Sequence, residues 1–152
     1  MLSEYFKFGI VRDPYSRTLT AYLDKILNRA RQSRRPLRFL KSKYGTETPD
    51  FEQFCEYLAD DGLCDDNLWA PQLDGLVMPP NAFGHIARFE KLNEELNLIS
   101  WRIFGMPLGK SCHFGPKPTG SSAHMADHYT LRAREIVREI KQCHFEAFGY
   151  EP

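Results

Sequence analysis

Arg12, Ser16, Arg17 and Thr20 bring two guanidinium groups and two hydroxyls into one short stretch. That set suits an oxyanion. A guanidinium grips a phosphate or sulfate through two parallel hydrogen bonds, and a hydroxyl adds another. Ser16 and Thr20 stand four residues apart, a spacing that puts both on one face of a helix. A later pair, Arg88 and Glu90, offers a cation and a carboxylate two residues apart. His85 lies just before it and is a general base if it faces a pocket.

The flanking residues predict what positions the first set. Phe6, Phe8, Ile10 and Val11 form an apolar run of strand length and predict a buried strand. Asp13 is a good N-cap, and Pro14 falls at the first helical position, where its missing N–H costs nothing. Tyr15, Leu19, Tyr22, Leu23, Ile26 and Leu27 then recur at helical spacing. Arg12 is thereby placed at the carboxyl end of a strand, next to a helix N-terminus whose free N–H groups and positive dipole end attract anions. A capped helix carrying a surface arginine has the same pattern, and strand–turn–helix alone favours it.

The string R-D-P-Y-S-R-T-L-T-A-Y, residues 12–22, is more specific. It resembles the 3′-phosphate-binding motif of the sulfotransferases, which use 3′-phosphoadenylyl sulfate (PAPS). The closest form is that of the carbohydrate branch, R-D-P-x-x-R-x-x-S-A-Y. The resemblance implies that Arg12 and Thr20 hold the 3′-phosphate, Thr20 standing where serine is common, and that Ser16 and Arg17 assist at the helix start. It also implies an α/β, P-loop-like sulfotransferase fold, here incomplete at the N-terminus and mostly helical. Residues 65–72, D-D-N-L-W-A-P-Q, are similar to the family's D-x-H-W-x-P-Q segment, with Leu68 where histidine is common. Trp69 there either lines the acceptor pocket or closes the core, and the second role is the better default. Residues 83–90, F-G-H-I-A-R-F-E, resemble F-D-x-I-G-R-x-E, with Ala87 in place of glycine. Arg88 and Glu90 thus become candidates for scaffolding the site or recognising the acceptor, against a local ion pair at a strand end. The ending, H-Y-T…E-I-V…F-E-A-F-G-Y, resembles the family's terminal segment.

The implied reaction moves a sulfuryl group from PAPS, as co-substrate, to a hydroxyl acceptor, a carbohydrate by the branch resembled. It needs no metal. Such enzymes also carry an earlier strand–loop–helix with P-K-x-G-S/T, whose amides cradle the 5′-phosphosulfate. This chain starts almost directly at the second phosphate motif. Residues 1–152 are therefore expected to be a single sulfotransferase-like domain lacking that first element, and the catalytic residues are not identifiable. Pro116-Lys117-Pro118-Thr119-Gly120-Ser121-Ser122 looks superficially like the missing loop. It comes late, carries an extra proline, follows no convincing strand and is not expected to open directly into a helix, so a Gly/Ser loop is expected there instead. A diverged domain that binds the nucleotide phosphate without catalysis is the alternative.

Composition fits one globular domain. The chain has 152 residues, 42% hydrophobic, with eleven Phe and seven Tyr, enough for a real core. Formal net charge is zero, so nothing pulls the whole chain toward nucleic acid or membrane. Charge is nonetheless segregated: Lys25 to Lys43 holds eight Lys/Arg and no acid, and Glu47 to Asp66 holds eight Asp/Glu and no base. Arg29, Arg31, Arg34, Arg35 and Arg38 form either a solvated face or an anion-binding surface. A nucleic-acid-binding role through that patch is the competing hypothesis of another class, though no binding motif accompanies it and no nucleic-acid partner is expected. Cys55, Cys64, Cys112 and Cys143 lack zinc-ligand spacing and read as free or buried thiols, two disulfides staying open if the protein is secretory. Asp65 and Asp66 read as a surface loop rather than a metal site. No signal peptide and no membrane span is visible, so the chain reads as cytoplasmic as it stands; an upstream anchor would place it in the Golgi membrane.

The remaining pattern is helical. A helix ends between Arg31 and Arg35. Thr48-Pro49-Asp50-Phe51 reads as cap, proline and acidic first turn, with Phe51, Phe54, Cys55 and Leu58 as buried stripe. Phe83 to Glu90 predicts a short strand and loop. Asn93 caps a helix with Leu92, Leu96, Ile99 and Ile103 inward and Gly105 as stop. Met106 to Ala126 reads as a loop. Thr130 caps a last helix with Ile136, Val137, Ile140, Cys143 and Ala147 inward and Gly149 as stop.

Overall fold

The computed structural model describes residues 5–28, 34–109 and 121–152. It is mostly helical with a two-stranded parallel sheet. Its residues fall into two compact units, each discontinuous in sequence: residues 1–13 with 72–117, and residues 14–71 with 118–152.

The first unit holds the sheet. Strand β1 (Phe8–Val11) pairs with a later strand, β2 (His85–Arg88), in the register Phe8↔His85 to Val11↔Arg88. The predicted strand is present, but it is not buried on both sides. Gly9 and Val11 are covered, while Phe8 and Ile10 are 41% and 43% exposed. Parallel strands are ordinarily covered on both faces; here the side chains alternate between core and solvent. The sheet's inner face is thin, with Val11 and Ala87 buried beside Ile99 and Ser100 of a long helix. That helix runs Leu92–Phe104 and ends at Gly105, whose φ of 68° needs the left-handed freedom of glycine. Its N-cap is Lys91, not Asn93. Only Ile99 of the expected stripe is fully buried; Leu92 and Leu96 are partly covered, and Ile103 is exposed together with Trp101 and Phe104. A short helical turn, Gln72–Gly75, opens the unit's second segment.

The second unit is a helical bundle with an aromatic core. Helix α1 (Pro14–Ala21) starts at the predicted proline. It passes into a π-helical stretch, Tyr22–Asn28. The i→i+5 bonding widens that turn, and Leu27, expected inward, is half exposed while Tyr22, Leu23 and Ile26 are buried. The predicted end of this helix, between Arg31 and Arg35, falls partly on residues 29–33, outside the described residues, and partly at the start of the next helix. Helix α2 (Arg34–Tyr44) carries Pro36 in its first turn, where proline is tolerated, so the proline begins a helix instead of breaking one. Helix α3 (Phe51–Asp60) is capped by Asp50, two residues after the expected Thr48. Asp50 accepts from the Gln53 N–H and the Gln53 side chain accepts from the Asp50 N–H, a reciprocal capping box. Phe51, Phe54, Cys55, Tyr57 and Leu58 face inward.

The expected loop before the C-terminal region is in part a helix. With Gln72–Gly75 as α4 and Leu92–Phe104 as α5, it is α6 (Ser121–His128). The predicted last helix is two, α7 (Leu131–Ile140) and α8 (Gln142–Phe148), broken at Lys141. Thr130 caps α7 by accepting from the Ala133 N–H at 3.0 Å. The break resets the helical register, so His144, Phe145 and Phe148 point inward while Cys143 and Ala147 are exposed. Tyr15, Tyr22, Phe51, Phe54, Trp69, Tyr129 and Phe145 make up much of the core. Their polar tips are satisfied: Tyr22 donates to the Pro49 carbonyl, Tyr129 to the Tyr15 carbonyl and the Trp69 indole to the Gly62 carbonyl, at 2.8–2.9 Å.

The two oppositely charged blocks meet within this unit. Lys25 pairs with Asp66, Arg35 with Asp65, Lys41 with Glu47, and Lys43 with Asp60. Asp65 also accepts from the Tyr57 hydroxyl and Asp66 from the Leu68 N–H. Cys55, Cys64 and Cys143 are free, and Cys112 lies outside the described residues. Among the described residues no helix is long and apolar enough to cross a membrane, and no cluster of His, Cys, Asp or Glu could hold a metal ion.

Candidate functional site

Arg12 follows β1 directly and Pro14 opens α1, so the motif sits at a strand's carboxyl end and a helix start. Within the first unit, the Arg12–Asp13 backbone is held by two side chains distant in sequence. Arg12 donates its N–H to Gln72 Oε1 and accepts from Gln72 Nε2, both at 2.8 Å. One primary amide thus takes both main-chain groups of one residue, as a neighbouring strand would. Asp13 donates its N–H to Glu90 Oε1 at 2.8 Å. The Arg12 guanidinium lies 4.8 Å from the centre of the Phe89 ring. Stacking uses the faces of the guanidinium and hydrogen bonding uses its edge, so the ring orients the group without competing for its donors.

In the second unit, Ser16 is buried and Thr20 partly so. Thr20 Oγ1 donates to the Ser16 carbonyl at 2.9 Å, an i−4 bond inside the helix. Arg17 turns to the segment before Gln72: its two terminal nitrogens donate to the carbonyls of Ala70 at 2.5 Å and Asn67 at 2.7 Å. Lys141, itself buried, donates its ammonium to the Trp69 carbonyl. Two cations therefore fix three carbonyls of one short loop. Trp69 is 2% exposed and packs edge-on against Phe54 at 5.5 Å, so it closes the core and offers no face to an acceptor.

Arg88 and Glu90 are exposed, with Glu90 on the Asp13 N–H. His85 lies at the start of β2, opposite Phe8, whereas Arg12 lies beyond the other end of β1. Its Nε2 is 2.6 Å from Glu95 Oε2, and the Arg88 N–H donates to Glu95 Oε1. His85 thereby ties β2 to α5 through a carboxylate that also takes the Arg88 N–H. That hydrogen bond holds the Glu95 carboxyl below its usual range, against a small opposing effect of burial.

Spacing did not reveal Phe89, Lys141 or the grip of Gln72 on Arg12. Gln72 was visible only as part of the Trp-Pro-Gln segment; Phe89 and Lys141 carried no local signal. The loop-like string at 116–122 lies largely outside the described residues, except that α6 begins at Ser121.

Comparison with curated proteins and with solved structures finds no match. A model of the Sulfotransferase family matches residues 1–151, and the chain belongs to that family.

Proposed function

We propose that this protein binds PAPS through the donor's 3′-phosphate and serves transfer of its sulfuryl group to a hydroxyl, on a carbohydrate acceptor. The observation that carries the reading is the R-D-P-Y-S-R-T-L-T-A-Y string with Arg12 at the carboxyl end of β1 and Pro14 opening α1. By type, a guanidinium and two hydroxyls suit a phosphate ester dianion. Arg12 and Thr20 hold the phosphate, with Ser16 at the same helix start. Thr20 releases the Ser16 carbonyl to donate to the anion, a change of one side-chain torsion. Arg17 acts by holding the Asn67–Ala70 backbone. Arg88 and Glu90 serve the acceptor side, Glu90 through the Asp13 N–H. PAPS itself supplies the sulfuryl group and its phosphate leaving group. The chain's part is positioning and charge stabilisation, as in phosphoryl transfer, and calls for no metal.

Within the basic patch, Arg35, Lys41 and Lys43 pair with acids of the same unit, which weakens the nucleic-acid alternative for those three cations alone. Calorimetry with adenosine 3′,5′-bisphosphate tests the proposal. Arg12→Ala is expected to weaken binding by about 10- to 100-fold and Thr20→Ala by about fivefold, while Thr20→Ser retains it. Unchanged affinity in Arg12→Ala overturns the proposal. Binding without transfer of labelled sulfate from PAPS to glycans assigns the chain to the non-catalytic alternative.

A further inference from the structure

We infer that Gln72 is a positioning residue for the phosphate site: its side-chain amide stands in for a strand neighbour and fixes the backbone from which Arg12 projects. The inference rests on the proposed 3′-phosphate role of Arg12. Its own ground is geometric. β1 ends at Val11, so the sheet register stops one residue before Arg12. Gln72 supplies both missing partners from a single planar group, accepting the Arg12 N–H and donating to its carbonyl at 2.8 Å each. Glutamine is among the few side chains able to do this, since the task needs a donor and an acceptor side by side. Glutamate accepts only, and alanine offers neither. Glu90 takes the Asp13 N–H of the same peptide whose carbonyl Gln72 holds, and Phe89 stacks on the guanidinium. A misplacement of about 1 Å in a group that grips an anion bidentately breaks one of its two bonds, so backbone order at Arg12 becomes phosphate affinity.

This also gives the Trp-Pro-Gln segment a physical division of labour. Trp69 fills the core of one unit, and Gln72 holds a backbone in the other. Neither touches an acceptor to do so.

A double-mutant cycle read by adenosine 3′,5′-bisphosphate affinity tests the inference on the full chain. Gln72→Ala is expected to weaken binding about tenfold in the otherwise unchanged protein, and by less than about twofold when Arg12 is already alanine. NMR titration reads the weak affinities. Gln72→Glu, of the same shape, is expected to weaken binding in the same direction and serves if Gln72→Ala fails to fold. Unchanged affinity in both Gln72 variants, with Arg12→Ala defective, overturns the inference alone. Equal loss in both backgrounds also overturns it, because a general loosening of the fold persists without the Arg12 side chain. Absence of binding to the unchanged protein, or full affinity in Arg12→Ala, removes the parent reading and the inference with it.

Discussion

Arg12 is governed by neighbours that only folding brings to it. Its position after a strand was legible, because an apolar run, an aspartate and a proline follow one another in sequence. Glu90 was a scaffold candidate only through the family resemblance; the amide of Gln72 and the ring of Phe89 were not legible at Arg12, since all three arrive from about sixty to eighty residues away. Arg17 shows the same limit: spacing put it beside the phosphate motif, and long-range contact gave it the carbonyls of Asn67 and Ala70. His85, open to a catalytic role by sequence, is held by Glu95. That pair has a consequence in acid. The folded carboxyl of Glu95 titrates below its ordinary value of 4.5, so its stabilising bond is fully present above that pH. It is lost as pH falls through the lower folded value. Urea melts between pH 6 and pH 3 should show the Glu95→Gln protein losing less stability on acidification than the unchanged protein; parallel acid limbs would contradict the assignment.

At the scale of elements, local signals located most helices and missed their interruptions. Phe51, Phe54, Cys55 and Leu58 marked the inward face of α3 because one short helix keeps one register. The C-terminal stripe failed beyond Ile140 because Lys141 breaks the helix, and a break rotates every later side chain. Nothing in the spacing announces that break; a buried ammonium on the Trp69 carbonyl is a tertiary feature. The π-helical stretch displaced Leu27 for a like reason. Caps were read unevenly, with Thr130 as expected but Asp50 and Lys91 in place of Thr48 and Asn93, and the cost of removing one is calculable. Asp50→Ala removes the acceptor for the Gln53 N–H and should lower unfolding free energy by about 1 kcal/mol in denaturant titration, with the m-value unchanged.

Across the whole molecule, net neutrality hides two blocks of opposite charge joined by ion pairs, an arrangement the sequence reading, which weighed a solvated face against an anion-binding surface, did not offer. Apolar exposure is marked in the first unit. Phe8, Ile10, Leu98, Trp101, Phe104, Met106 and Leu108 all belong to the first unit and are each more than 40% exposed. The strand run read as buried because its composition is apolar, and composition does not say which face is covered. Surface of this kind binds hydrophobic dyes. Anilinonaphthalene sulfonate fluorescence should be high for the native protein and fall when Trp101 and Phe104 are both changed to serine; equal fluorescence would show that those side chains are covered in solution. Membership of the Sulfotransferase family gives the molecule its general chemistry, and the strand-to-helix junction is where the donor is proposed to dock. The most direct test compares two nucleotides that differ only at that group, adenosine 3′,5′-bisphosphate and adenosine 5′-monophosphate. The account predicts that the protein prefers the bisphosphate by about tenfold or more and that Arg12→Ala brings the two within about twofold. Equal affinity for both nucleotides, or a preference that survives Arg12→Ala, would contradict it.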